Sequence, residues 1–187
     1  MPRKIVFAIM LLSLLSAMAP AEVADSSPNG FTIKITASIN APPADVYKRL
    51  ILNVGDWWNP QHTFSGDAHN LSIEEKPMGC FCEKLTNGGA VRHMEVLFYE
   101  PGKTLRMSGA LGPFQAMGAT GTITFKFTPE QTGTKLEVTY AIVGYQPQGM
   151  ASWAAPANGM LTEQITRLKN YVETGNPAGS NKDEKKP

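Results

Sequence analysis

The chain predicts an α+β domain in which a curved antiparallel sheet wraps around one long C-terminal helix. From Phe31 to Tyr145 it runs almost throughout in a two-residue period of apolar and polar side chains, the mark of half-buried strands. Between about Ser152 and Glu173 the period changes to the 3.6 residues of an amphipathic helix. The strand-like runs are separated by short turn sequences, so neighbours should pair as hairpins.

The amino terminus reads as an address. Pro2-Arg3-Lys4 is basic, Ile5 to Met18 is apolar, and Ala19-Pro20-Ala21 offers a small-residue cleavage site. Residues 1–21 are therefore expected to be a signal peptide, with the mature protein periplasmic or secreted. The apolar run falls short of the ~20 residues that span a bilayer, so no stable membrane insertion is expected after cleavage. Residues 22–30 read as a polar linker, residues 31–173 as the domain, and residues 174–187 as a disordered tail without a large apolar side chain.

Within the domain, Phe31, Ile33, Ile35, Ala37 and Ile39 alternate with polar partners and give the first strand one buried face. Pro42 and Pro43 start a short helix whose buried stripe is Val46, Leu50 and Ile51; Asn53 to Asp56 end it, and Trp57-Trp58-Asn59-Pro60 makes a further turn or a tight bend. Strands follow at Asn70–Glu75, Phe81–Lys84, Ala90–Tyr99 and Thr104–Ser108. Gly121 to Phe127 and Leu136 to Ile142 form a long hairpin through the turn Pro129 to Gly133. The result is a meander of about six strands, with the Phe31–Ile39 strand at one margin. In the last helix, Trp153, Ala157, Met160, Leu161, Gln164, Ile165, Leu168, Tyr171 and Val172 share one face, with Gln164 its odd member. Pro156 marks its first turn or kinks an earlier one, and Gly159 suggests close packing on the sheet ahead of room for a ligand.

Charge and motifs exclude several functions. Lys plus Arg number 17 and Asp plus Glu 16, a net charge of +1 without a basic stripe, so no nucleic acid is expected as a partner. Gly109 to Gly118 is glycine-rich but lacks the lysine and hydroxyl of a phosphate cradle, and no nucleophile elbow, zinc-protease helix or dinucleotide fingerprint occurs. No cofactor and no metal are expected. His62, Asp67 and His69 have the right chemistry for a metal but sit in a Ser/Gly-rich loop, where loop hydrogen bonding is the favoured account. Cys80 and Cys82 share a strand face; two free structural thiols are expected ahead of a strained bridge, and metal or redox use behind both.

His93 could enter a cavity beside a carboxylate such as Glu83 or Glu95, but strand parity sets Met94, Val96 and Phe98 on the more apolar face and leaves His93 outside. Glu83, Arg106, Tyr140 and, with that reservation, His93 are the candidates for catalysis or ligand orientation, Tyr140 lying on the apolar face of its strand.

Trp57-Trp58-x-Pro60-x-His62, Ser65-Gly66-Asp67-Ala68, Gly79-Cys80-Phe81-Cys82-Glu83, His93-Met94, Pro101-Gly102-Lys103-x-Leu105-Arg106 and Gly109-Ala110-Leu111-Gly112-Pro113 occur in an order that resembles the bacterial polyketide cyclase/dehydrase-like branch of the START-like, or SRPBCC, superfamily. The resemblance covers residues 31 to 173. It implies a helix-grip (START/Bet v 1-like) fold, with a hydrophobic pocket between sheet and helix. The expected function is binding of a hydrophobic small molecule, a lipid or an aromatic or polyketide-like compound, by Trp57, Trp58, Met94, Phe98, Met107, Tyr140, Trp153 and Met160. A cyclase or hydratase-type enzyme in the same cavity is the alternative, and a filled-core domain acting through its surface comes third. Phe114 and Met117 are expected as a lid over the pocket mouth.

Overall fold

The strands and helices follow from these periods with few exceptions. A computed structural model describes residues 21–179, so the segment expected to be a signal peptide, apart from Ala21, and the expected tail beyond residue 179 lie outside the described residues. In chain order the elements are β1 (Ala21–Ser27), β2 (Gly30–Ile39), α1 (Pro43–Leu52), α2 (Val54–Trp57), β3 (Leu71–Ile73), β4 (Cys80–Lys84), β5 (Ala90–Glu100), β6 (Thr104–Gly109), β7 (Thr120–Glu130), β8 (Gly133–Val143) and α3 (Ala154–Thr174). The strands form one curved, wholly antiparallel sheet of eight in the order β1-β2-β8-β7-β6-β5-β4-β3.

Two departures concern the sheet's first edge. Ala21, expected to end the signal peptide, and Glu22 to Ser27, read as part of a linker, form a strand that folds back on β2 through Pro28-Asn29. Its side chains are nearly all exposed, so backbone pairing rather than apolar burial holds it, and polarity alone conceals such a strand. As a consequence β2 is not marginal: it lies between β1 and β8.

The helix α3 lies across the sheet and packs on β2, with α1 and α2 beside it. Ala157, Leu161, Gln164, Ile165 and Leu168 are buried, while Trp153, Met160, Tyr171 and Val172 are half-buried against the same core. Gln164 is tolerated there because its Oε1 accepts the Asn59 N–H at 2.8 Å. Pro156 sits in the first turn, where a missing N–H leaves no intrahelical bond unmade. Gly159 corrects both earlier accounts: it is exposed, and a Cβ there would meet nothing within 4 Å. Gly159→Ala should therefore stabilise the fold by up to about 1 kcal/mol, read from urea denaturation midpoints.

Candidate functional site

Between sheet and helix lies a cavity of about 420 Å³. Its floor comes from β4 and β5 through Phe81 and His93, one wall from Trp58 and Leu71, another from Leu111, Pro113 and Phe114, and its roof from Trp153, Pro156, Ala157 and Met160. Gln61, His62, Thr63 and Phe64 complete the lining, from the loop that follows α2. The aromatic rings brace one another: Trp58 meets Phe81 edge-on at 5.6 Å, and Phe114 meets Trp153 edge-on at 5.8 Å.

One end of this apolar space holds a buried, hydrogen-bonded carboxylate–imidazole couple. Glu83 is fully buried, and His93 is 5 % exposed. Their side chains meet at 3.0 Å, Nε2 of the imidazole against Oε2 of the carboxylate. The same carboxylate accepts the backbone N–H of Phe64 at 3.1 Å and of Ser65 at 2.5 Å, so it also pins the loop over the cavity. Burial pushes the Glu83 carboxyl up, but the hydrogen bonds from Ser65, Phe64 and His93 together outweigh it and hold the group below the usual carboxylate range. Burial lowers the His93 value, against the opposing pull of Glu83, and keeps the ring neutral.

His93 reaches this position through a β-bulge. Phe81 pairs with Met94 and Cys82 with Arg92, so His93 is the extra residue of β5, and both His93 and Met94 turn inward. The parity expectation that put His93 outside is thereby corrected. Gly109 makes room for the bulge: a Cβ there would collide with the His93 carbonyl, which accepts the Ala110 N–H at 3.1 Å. A second irregularity, between Val96 and Phe98, reverses parity again and throws Leu97 and Phe98 outward. Phe98 is therefore not a pocket residue. It lies under the Arg106 guanidinium, 5.9 Å away, and Arg106 is itself exposed and bonded to Thr124 at 3.1 Å. Arg106 cannot orient a ligand in the cavity.

Of the other expected residues, Trp58, Trp153 and Met160 line the cavity. Trp57, Met94, Met107 and Tyr140 are fully buried core instead. Trp57 donates its indole N–H to the Leu50 carbonyl at 3.3 Å, while the Tyr140 oxygen accepts the Leu111 N–H at 3.4 Å. Burial pushes the Tyr140 hydroxyl up to about 12. Phe114 is no mobile lid, being 3 % exposed and packed against Phe31 as well as Trp153, and Met117 does not reach the cavity. The residue at the mouth is Phe64, 57 % exposed and stacked on His93 with ring centres 5.9 Å apart. Phe64 and Phe81 escaped the sequence reading. The shared strand face of Phe81 and Glu83 is the available signal for the second; nothing local distinguishes the first.

The remaining polar clusters are rim structure. His62 Nε2 meets Glu163 Oε2 at 3.1 Å, and Asn59 donates to the same carboxylate. His69 pairs with Asp67 at 3.0 Å, away from His62, and among the described residues no group of three metal-ligating side chains converges. Cys80 and Cys82 are joined as a disulfide, with Cα atoms 5.3 Å apart, which corrects the expectation of free thiols. That separation lies inside the ordinary ~4.4–6.8 Å range for a bridge.

Acid should unfold the protein in two stages. His93 has a folded value below its ordinary 6.5, so the unfolded chain binds the proton more readily and stability falls as pH drops below 6.5. Glu83 is depressed below its ordinary 4.5, so its contribution is present above that value and is lost as pH falls through the folded value. Melting temperatures recorded from neutral pH down to about pH 3 should fall first below 6.5 and again below 4.5, and a His93→Phe variant should lose the upper stage and show a smaller lower one.

Comparison with known proteins adds the family. The family model described as polyketide cyclase/dehydrase and lipid transport matches residues 31–173. No curated protein matches. Among solved structures, a Rhizobium leguminosarum protein is similar at 17% identity and a TM-score of 0.56, covering 83% of this chain and 98% of that one. An Arthrobacter aurescens protein is similar at 15% identity and a TM-score of 0.55, covering 87% and 96%. DynU16, from the dynemicin biosynthetic locus, is similar at 17% identity and a TM-score of 0.55, covering 80% of this chain and 49% of that one. At such identities these likenesses concern the fold.

Proposed function

Since the chain belongs to the polyketide cyclase/dehydrase and lipid transport family of the SRPBCC superfamily, we propose that it is an exported protein whose helix-grip cavity binds an apolar small molecule, lipid or aromatic. The observation that carries this reading is the cavity itself: about 420 Å³, walled by Trp58, Phe81, Phe114, Trp153 and Met160 with few polar groups among them. That volume lies in the range of small-molecule sites, and its greasy walls with sparse orienting groups are what such binding requires. The void counts against an interior filled by side chains. The Cys80–Cys82 bridge supports export, because disulfides persist in oxidising compartments.

Native mass spectrometry of protein purified from its own envelope tests the binding. A bound adduct is expected, and Met160→Trp, which narrows the cavity from a half-buried position, should reduce its occupancy about tenfold without lowering the melting temperature. Absence of any adduct, together with no saturable binding of naphthalene, overturns the reading. Fractionation for the mature, shortened chain tests export; a full-length cytoplasmic product overturns that part.

The Glu83–His93 couple favours one second reading, an acid–base enzyme of the cyclase or hydratase kind. A carboxylate behind an imidazole fixes its tautomer and stabilises the cation formed when the ring takes a proton. Recovered ligand incubated with the protein would then lose or gain water, and His93→Phe would abolish the change; an unaltered mass sinks this alternative.

A further inference from the structure

We infer that the molecule held in this cavity carries a hydroxyl group, and that it donates this hydroxyl to Nδ1 of His93. The inference rests on the binding reading above and narrows its ligand class. Nδ1 is buried and has no hydrogen-bond partner among the described residues, although the ring it belongs to is part of the cavity wall. A native fold seldom leaves such an atom unsatisfied without a ligand, a water or a reaction to account for it.

The hydrogen-bond network fixes what that atom can accept. The Glu83 carboxylate is acceptor-only, so the ring nitrogen that meets it, Nε2, must carry the proton. In the neutral ring the other nitrogen is then a bare lone pair. The tautomer follows from the network, in the way such assignments are made. A lone pair welcomes O–H and rejects acceptors. A ketone or an ether oxygen offers it nothing, and a carboxylate would face both the lone pair and the Glu83 charge behind the ring. An alcohol or phenol satisfies it.

The surroundings agree with a ligand having one polar end. Next to His93 the lining is Phe64 and Phe81, with ring centres 5.9 Å and 5.2 Å from the imidazole. The other lining polar groups, Gln61, His62 and Thr63, come from the rim loop, and His62 is already engaged with Glu163. The resting structure closes Nδ1 off, and Phe64, more than half exposed and stacked on the imidazole, is the side chain that must move for the hydroxyl end to reach it, while its N–H stays anchored on Glu83.

Naphthol, its methyl ether, naphthalene and the naphthoate anion test the assignment by calorimetry near neutral pH. Naphthol should bind about tenfold more tightly than the ether, with naphthoate weakest. In His93→Phe the preference for naphthol over the ether should vanish. Nitrogen-15 spectra of the wild-type imidazole give a second readout that needs no variant: Nδ1 should appear unprotonated in the free protein and shift with naphthol but not with naphthalene. Equal affinities for naphthol and its ether, or a proton on Nδ1 in the free protein, overturn the inference and leave the binding reading standing. Failure of all four compounds overturns the inference, and together with the absence of any adduct in native mass spectrometry it removes the binding reading as well.

Discussion

Leu168→Ala should lower the free energy of unfolding by about 2–5 kcal/mol, the usual penalty for emptying a fully packed leucine site. Leu168 is 0 % exposed, in the stretch of α3 where Leu161 and Ile165 are also buried. The loss has two parts: the transfer free energy of the deleted carbons, and the void left because neighbours relax only partly. Relaxation is restricted here. The backbone of α3 is held to the rest of the fold by Arg167, which donates to the Trp57 carbonyl at 2.8 Å, and by Lys169, which donates to the Ser38 carbonyl at 2.6 Å. The helix therefore cannot slide inward to close the gap, and the effect should lie toward the upper part of that range. Urea denaturation followed by tryptophan fluorescence measures it. A loss under about 1 kcal/mol would mean that α3 does not carry the core as described.

Why so much of this architecture could be read from the sequence, and the site so poorly, has one physical origin. Alternation is a global property of a strand, so Phe31 to Ile39 and the β7–β8 hairpin announced themselves, as did the face of α3. The site, by contrast, is made where alternation fails. His93 is inward only because β5 carries an extra residue opposite Phe81 and Cys82, and Phe98 is outward only because β5 slips again against β6. A single inserted residue reverses every later side chain on a strand, and neither insertion has a local signature in Arg92-His93-Met94 or Val96-Leu97-Phe98. Gly109 was the one trace, since a glycine opposite the bulge admits the His93 carbonyl, but that is a tertiary fact. The edge strand β1 hid for a different reason: its pairing is through the backbone and its side chains are polar. Within the cavity, Trp58, Trp153 and Met160 were legible because they follow helical spacing or flank a helix, whereas Phe64 is placed by a loop whose shape depends on a distant carboxylate.

That dependence makes Glu83 the residue whose removal should disturb the site most. Glu83→Gln preserves shape and removes charge, yet it should cost about 1–3 kcal/mol, the usual penalty when a buried donor is left without its hydrogen-bond partner. Three donors converge on the carboxylate: the N–H groups of Phe64 and Ser65, and Nε2 of His93. An amide supplies one acceptor oxygen and turns its NH₂ toward the remaining donors, so at least one N–H must lose its partner. The backbone of the loop then detaches or His93 rotates, and in either case the cavity loses the wall at its polar end. Three measurements follow from one variant: a lower urea midpoint, faster proteolysis near Phe64 and Ser65, and weaker naphthol binding. The stability gap should also close in acid, because the wild-type carboxyl itself becomes protonated below its depressed value and forfeits the same interactions. Should Glu83→Gln stay within about 0.5 kcal/mol of the parent at neutral pH, the carboxylate does not organise this loop, and the tautomer assigned to His93 loses its foundation.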